Sequence, residues 1–251
     1  MKDIIFRIDD IGTSAKHFEQ HGQKWLKIFG KKVFYFPFAN FWFLKRIWPF
    51  KRWAKYDELT AEEWEVFFKI FQENNIVPII AITACWVDEH SNLIPFPEKF
   101  PEEAIFLKKA FAEGKIVIAN HSLAHCIVGK HMPKFWGSNR SEWREFIPSL
   151  PAEVHRNNIV KSQEILENFF EKPITIFVPP GNVWSIKTYN ALAGTNLKTV
   201  MSSRPPADGK VPSGDIVFKQ NDEKVSAFHD RELKLYGAKW LLEKINYFKN
   251  I

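Results

Sequence analysis

Two short stretches of this chain carry side chains that could hold a metal ion. His121 and His125 stand four residues apart in His-Ser-Leu-Ala-His. If that segment opens a helix, both imidazoles fall on one face a turn apart, which suits two ligands of one ion. Surface histidine pairs show the same spacing. Asp9 and Asp10 are adjacent at the end of an apolar run. Neighbouring carboxylates repel, so a buried pair requires a cation or a shared proton. One could hold an ion while the other serves as a base; a turn cap ahead of Gly12 is the structural alternative. His229 follows another apolar run, and Pro179-Pro180-Gly181-Asn182 follows a third. A satisfied structural histidine and a rigid loop are the plain readings of those two.

The elements that must position these residues follow from hydrophobic pattern. Short apolar runs at 4–8 (IIFRI), 77–83 (VPIIAIT), 115–119 (KIVIA) and 174–178 (ITIFV) read as buried strands. Further strands are expected at 199–202, 215–219 and 225–228. Between them lie helical patterns. One opens at Thr60 with Glu63 three residues on, a capping-box spacing. Others cover 101–113, 151–170, 185–193 and 237–248. Strands alternating with helices call for a parallel sheet. About seven strands fit an α/β fold of the irregular (β/α) barrel kind, a single domain over 1–251. Asp9, Asp10, His121, His125, Pro179 to Asn182 and His229 then all follow the C-terminal ends of strands, the face where such folds keep their sites.

Composition narrows the function classes. Of 251 residues 45% are hydrophobic and 25% charged, which supports a large core and excludes a disordered chain. The net charge of +6 favours anionic surroundings. Cys85 and Cys126 form no CxxC pair, so reduced structural thiols are expected. No apolar leader precedes the first strand and no stretch is long enough to span a bilayer. The expectation is a cytoplasmic chain, peripheral at the inner membrane face if it meets lipid at all. Of the 24 Phe, 10 Trp and 5 Tyr, 11 fall in an insertion at about 33–56. Within 35–55, rings alternate with Lys45, Arg46, Lys51 and Arg52. Such a segment could stack on sugars, contact anionic membrane, or simply cover a barrel end. The cations form no recognised nucleic-acid module, so no nucleic-acid partner is expected.

Four segments resemble motifs of the polysaccharide deacetylase (NodB-homology) family, in the family's order. They are Phe6 to Gly12 (FRIDDIG), His121 to His125 (HSLAH), Phe177 to Gly181 (FVPPG) and Val225 to His229 (VSAFH). The resemblance implies a NodB-like barrel and a metal-dependent hydrolase that removes an N-acyl group, acetyl first, from an amino sugar such as a lipid- or nucleotide-linked precursor. Asp10, His121 and His125 would hold one divalent ion. Zinc suits two imidazoles and a carboxylate, with cobalt, nickel and manganese compatible. Asp9 would be the base and His229 the acid; Pro180, Asn182 and Arg7 are expected on the substrate side. One departure stands out: the family's third motif opens with an arginine that braces the base, and this chain has Val178. Arg7 shares a face with Asp9 only if the strand stays regular. A deformylase, a non-sugar amidase, or a degenerate carbohydrate binder are the alternatives.

Overall fold

The computed structural model describes residues 4–18, 25–29, 31–35, 43–44, 47, 58–132, 144–210, 212–221 and 224–249. In chain order the elements are β1 (Ile5–Ile11), α1 (Ala15–Phe18), β2 (Trp25–Ile28), β3 (Lys31–Tyr35), α2 (Ala61–Glu73), β4 (Ile79–Ile82), β5 (Cys85–Val87), β6 (Leu93–Pro95), α3 (Phe96–Lys99) and α4 (Pro101–Ala112). There follow β7 (Val117–Asn120), α5 (Ala152–Phe170), β8 (Ile176–Phe177), α6 (Ile186–Ala191), β9 (Thr199–Ser202), β10 (Val217–Gln220), β11 (Val225–His229) and α7 (Asp230–Lys249).

Seven strands form one parallel sheet in the order β10-β9-β8-β7-β4-β1-β11. From β1 to β10 the chain winds in one direction, and β11 then docks on the free edge of β1. That succession is a barrel's, and among the described residues no ladder joins β10 to β11. The result is a curled half-barrel. β2–β3 and β5–β6 are antiparallel hairpins beside it.

Alternation along the strands divides the apolar side chains into two populations. Phe6, Ile8, Ile80, Ile118, Phe177, Val200 and Phe228 face the helices and make the larger core with Trp64, Phe71, Ile159, Leu166 and Leu241. Phe6 meets Phe71 and Phe248 edge-on, at 6.0 and 5.8 Å between ring centres. Helix α2 starts where the sequence suggests: Thr60 accepts from the Glu63 amide while Glu63 accepts from the Thr60 amide. Caps of this kind contribute about 1 kcal/mol. The concave side carries a narrow set, Ile79, Ala81, Ala119, Val178 and Met201.

Strand β1 breaks its own alternation. Ile8 pairs with Ile80 and Ile11 with Ile82, so β1 holds one residue more than β4 across that interval. Asp10 takes φ 71° to accommodate it, a left-handed value that aspartate tolerates better than most residues. This is a β-bulge. Ile8 and Ile11 both stay on the helix side, while Asp9 and Asp10 both reach one cavity on the other.

Several boundaries differ from the pattern. The first strand continues through the aspartates to Ile11 instead of ending at Ile8. The last helical segment begins at Asp230 and breaks at Gly237, whose φ of 68° and ψ of −167° are open to glycine. The His121 to His125 segment is not helical: Ser122 and His125 have φ of 82° and 61°. Apart from the end of β3, Phe43, Leu44 and Ile47, the aromatic and basic insertion lies outside the described residues. No described helix is long and apolar enough to cross a membrane. Cys85 and Cys126 are buried free thiols.

Candidate active site

At the C-terminal ends of the strands lies a cavity of about 230 Å³, walled among others by Asp9, Asp10, His121, His125, Arg144, Asn182, His229 and Arg231. Asp10 is at its centre. His121 Nε2 and His125 Nε2 are each 3.2 Å from Asp10 Oδ1, and His229 Nε2 is 3.8 Å from Oδ2. Burial alone would favour the neutral acid, but His229, His125 and His121 outweigh it and hold Asp10 well below the usual carboxylate range. Burial presses the other way on His125 and lowers it to about 4. That ring is therefore neutral near pH 7, with a lone pair to offer.

The donor set fits a cation. His121 Nδ1 lies 2.7 Å from the Val178 carbonyl, which can only accept, so the proton is on Nδ1. A neutral His121 then presents its Nε2 lone pair to an ionised carboxylate, and a second proton or a cation must sit between them. His125 Nε2 is buried and faces Asp10 without a well-formed hydrogen bond. The three ligand atoms of Asp10, His121 and His125 lie within 4.8 Å of one another. Locking one imidazole nitrogen by a backbone carbonyl so that the other faces the ion is a common arrangement at metal sites.

With no helix to place the two histidines, a buried carboxylate does so. Glu145 accepts from the backbone amides of Leu123, Ala124 and His125, at 3.2, 3.1 and 2.7 Å. Burial raises its pKa despite those three bonds. Asn120 adds a fourth tie, its side-chain oxygen accepting from Ser122 N at 2.8 Å.

Asp9 is held from within its own strand. Arg7 Nε donates to Oδ1 at 2.7 Å and Nη2 to Oδ2 at 2.8 Å. Arg7 Nη1 reaches Asn221 Oδ1 at 3.1 Å and the Met201 carbonyl at 3.4 Å. β1 is regular as far as Asp9, so the two side chains share the concave face. Arg7 is fully buried, which corrects the expectation of a substrate contact. Val178 is also buried, in the concave cluster, where it supplies no charge.

His229 is the most exposed of the set, its side chain 37% accessible. Its Nδ1 is 3.1 Å from Glu232 Oε2, and its backbone amide donates to the same oxygen at 2.8 Å. Burial disfavours the imidazolium, but Asp10 and Glu232 outweigh it and lift His229 to about 9. Asn182 lines the cavity with its side-chain oxygen already taken by Ser203 N at 2.8 Å and Ser202 Oγ at 3.2 Å. Pro180 is buried, and Pro179 and Gly181 form the wall in its place. Sequence reasoning missed Glu145, Glu232, Arg144 and Arg231. Glu232 alone had a local signal, three residues after His229.

A family model described as polysaccharide deacetylase matches residues 52–200. The match takes in His121, His125 and the turn after β8; Asp9 and Asp10 precede it and His229 follows it. No curated protein matches the chain. Similar solved structures include IcaB from Ammonifex degensii (13% identity, TM-score 0.45, 65% of this chain and 63% of that one). The deacetylase domain of BpsB from Bordetella bronchiseptica has 15% identity and a TM-score of 0.43, covering 69% of each chain. A CE4 family pseudoenzyme from Bacillus anthracis has 13% identity and a TM-score of 0.43, covering 74% of this chain and 57% of that one. The chain thus spans less than two thirds of the IcaB chain. On the family match, which covers more than half of its residues, this chain belongs to the polysaccharide deacetylase family.

Proposed function

We propose that the chain hydrolyses an N-acyl group, most simply acetyl, from an amino sugar, using one divalent ion held by Asp10, His121 and His125. The observation that carries this reading is the meeting of those three ligands with Asp9 and His229 around one cavity. Zinc is the ion that best suits the donors; cobalt, nickel and manganese are compatible with them. Bound there, such an ion would polarise the acyl carbonyl and make water a better nucleophile.

The chain's own residues handle the protons. Asp9, oriented at both oxygens by Arg7, takes the proton from the attacking water. His229, tied through Nδ1 to Glu232, turns Nε2 toward the cavity and gives a proton to the departing nitrogen as the C–N bond breaks. The products are acetate and a free amine. Asn182, its oxygen committed to the Ser202 hydroxyl and the Ser203 amide, offers its amide hydrogens to the sugar. Val178 suggested a degenerate binder; the Arg7–Asp9 pair favours catalysis, because the brace on the base is present, supplied by the base's own strand.

The wider reading is a cytoplasmic enzyme acting on a lipid- or nucleotide-linked sugar, with residues 35–55 contacting anionic lipid. Its support is the ring and cation content of that segment. Flotation with anionic liposomes tests it, and no co-flotation would end it. The central test is acetate release from N-acetylated chito-oligosaccharides by zinc-loaded protein, beside Asp9→Asn. Turnover that drops about 100-fold or more in the variant, with metal content kept, supports the roles given. Turnover unchanged in the variant would remove Asp9 as the base, and none in wild type on any N-acyl sugar would remove the activity.

A further inference from the structure

Arg7 is fully buried on the concave face, and its guanidinium divides its bonds between two sets of partners. Nε and Nη2 meet the two oxygens of Asp9 at 2.7 and 2.8 Å. Nη1 donates to Asn221 Oδ1 at 3.1 Å, with the Met201 carbonyl at 3.4 Å. Asn221 directly follows β10, and its own amide donates to the Ser202 carbonyl at 2.9 Å, so its backbone stays tied to β9. In the sheet β8, β7 and β4 separate β9 from β1. The Arg7–Asn221 bond therefore crosses the concavity instead of following a ladder, and it joins residues 214 apart in the chain.

An arginine side chain is long and has a large rotamer entropy. A fork to one carboxylate fixes the guanidinium plane against that carboxylate, yet leaves the two free to swing as a unit. An anchor on Nη1, set in a distant part of the sheet, removes that freedom. Asn221 supplies it with a neutral oxygen, so no second carboxylate competes with Asp9 for the guanidinium charge. Misplacing a reacting group by about 1 Å costs on the order of 100-fold in rate. The direction in which Asp9 faces is therefore what the anchor protects.

We propose that Asn221 is a positioning residue for the base: it acts through Arg7 and sets the direction in which Asp9 faces the cavity. This rests on the deacetylase reading above and adds to it a residue that does not line the cavity. Metal-free, isotope-labelled protein provides the first measurement, because it needs no turnover. The Arg7 Nε–H resonance is identified by its loss in Arg7→Lys, and its exchange with solvent is compared in wild type, Asn221→Leu and Asn221→Gln. Leucine has nearly the shape of asparagine and no acceptor; glutamine keeps a neutral acceptor. Exchange is expected to be about tenfold or more faster in Asn221→Leu and partly restored in Asn221→Gln. Acetate release from zinc-loaded protein is the second measurement. In Asn221→Leu kcat should fall about tenfold with KM and zinc content kept, and Asn221→Gln should recover part of the loss. Melting midpoints identify a variant that fails to fold; Asn221→Ser, too short to reach Nη1, then takes the place of leucine. Unchanged exchange in the folded variant, an unchanged kcat, or a loss carried by KM alone overturns the proposal. No acetate release from wild type would remove the hydrolytic reading instead, and the exchange comparison would still decide whether Asn221 fixes Arg7.

Discussion

Arg7 and Asp9, two residues apart on β1, are joined by two parallel hydrogen bonds of 2.7 and 2.8 Å within the concave side of the sheet. The pair is almost wholly enclosed, with side-chain exposures of 1% and 11%. Its desolvation is offset by two-point geometry and by the further bonds of Arg7 to Asn221 and Met201. Removing one partner from such a pair leaves a charge without compensation.

Arg7→Met is accordingly expected to destabilise the fold by about 3–5 kcal/mol and to abolish turnover. Arg7→Lys restores the charge but not the fork, so stability should recover more than activity does. Urea unfolding beside acetate release distinguishes the two effects. Equal activity in wild type and Arg7→Met would show that Asp9 needs no brace.

Metal should stabilise the folded chain through three ligands. Zinc at about 100 times its dissociation constant is expected to add about 2.7 kcal/mol to unfolding. The matching rise in melting midpoint should vanish in a His121→Ala/His125→Ala variant. Metal analysis should find one ion per wild-type chain. A rise of equal size in the double variant would place the ion elsewhere.

Glu145 holds the histidine loop by three backbone amides. Glu145→Ala leaves those buried donors unsatisfied and should cost about 1–3 kcal/mol or more. Glu145→Gln keeps one acceptor oxygen and should cost less. Both should weaken metal affinity, by about 10- to 100-fold for the alanine. Competition with a chelator reads the affinity; an unchanged value in Glu145→Ala would show that the loop holds its shape unaided.

Glu58 supplies a pH signature of stability. Its carboxylate accepts from Lys16 Nζ at 2.9 Å and from Gly12 N at 2.9 Å, and Lys16 also binds Asp230 at 2.7 Å. Burial, joined by Asp230 and opposed by Lys16, raises Glu58 from 4.5 to about 8. Between those values the folded chain binds more protons than the unfolded one. This group's contribution to stability therefore falls as pH rises through that window, and is level below 4.5 and above about 8. Denaturant midpoints measured from pH 5 to 9 should decline, and Glu58→Gln should flatten the decline. The same slope in that variant would assign it to other groups.

The sequence made the sheet legible because buried parallel strands are short apolar runs, and it made Thr60 legible because a capping box is local. The aspartates, the histidines and His229 were legible by type and order. What escaped it was direction and distance. Nothing local marks the positive φ of Ser122 and His125 that replaces a helix with a loop. Glu145 acts on amides about 20 residues away in the chain. Lys16 and Asp230 are 214 residues apart. Arg7 was readable as a neighbour of Asp9, but its burial depends on strands that the chain reaches only later, near Met201 and Asn221.

The extra residue in β1 makes the site a matter of counting as well as of chemistry. Adjacent residues on an unbroken strand look to opposite sides, so an Asp-Asp dipeptide there would send one carboxylate into the helix-packed core. Here the bulge lets both face inward while Ile8 and Ile11 keep their places. A one-residue deletion between Ile8 and Ile11 could thus restore a perfect ladder and still destroy the centre. No substitution made at the two aspartates would repair it, because the missing information is chain length.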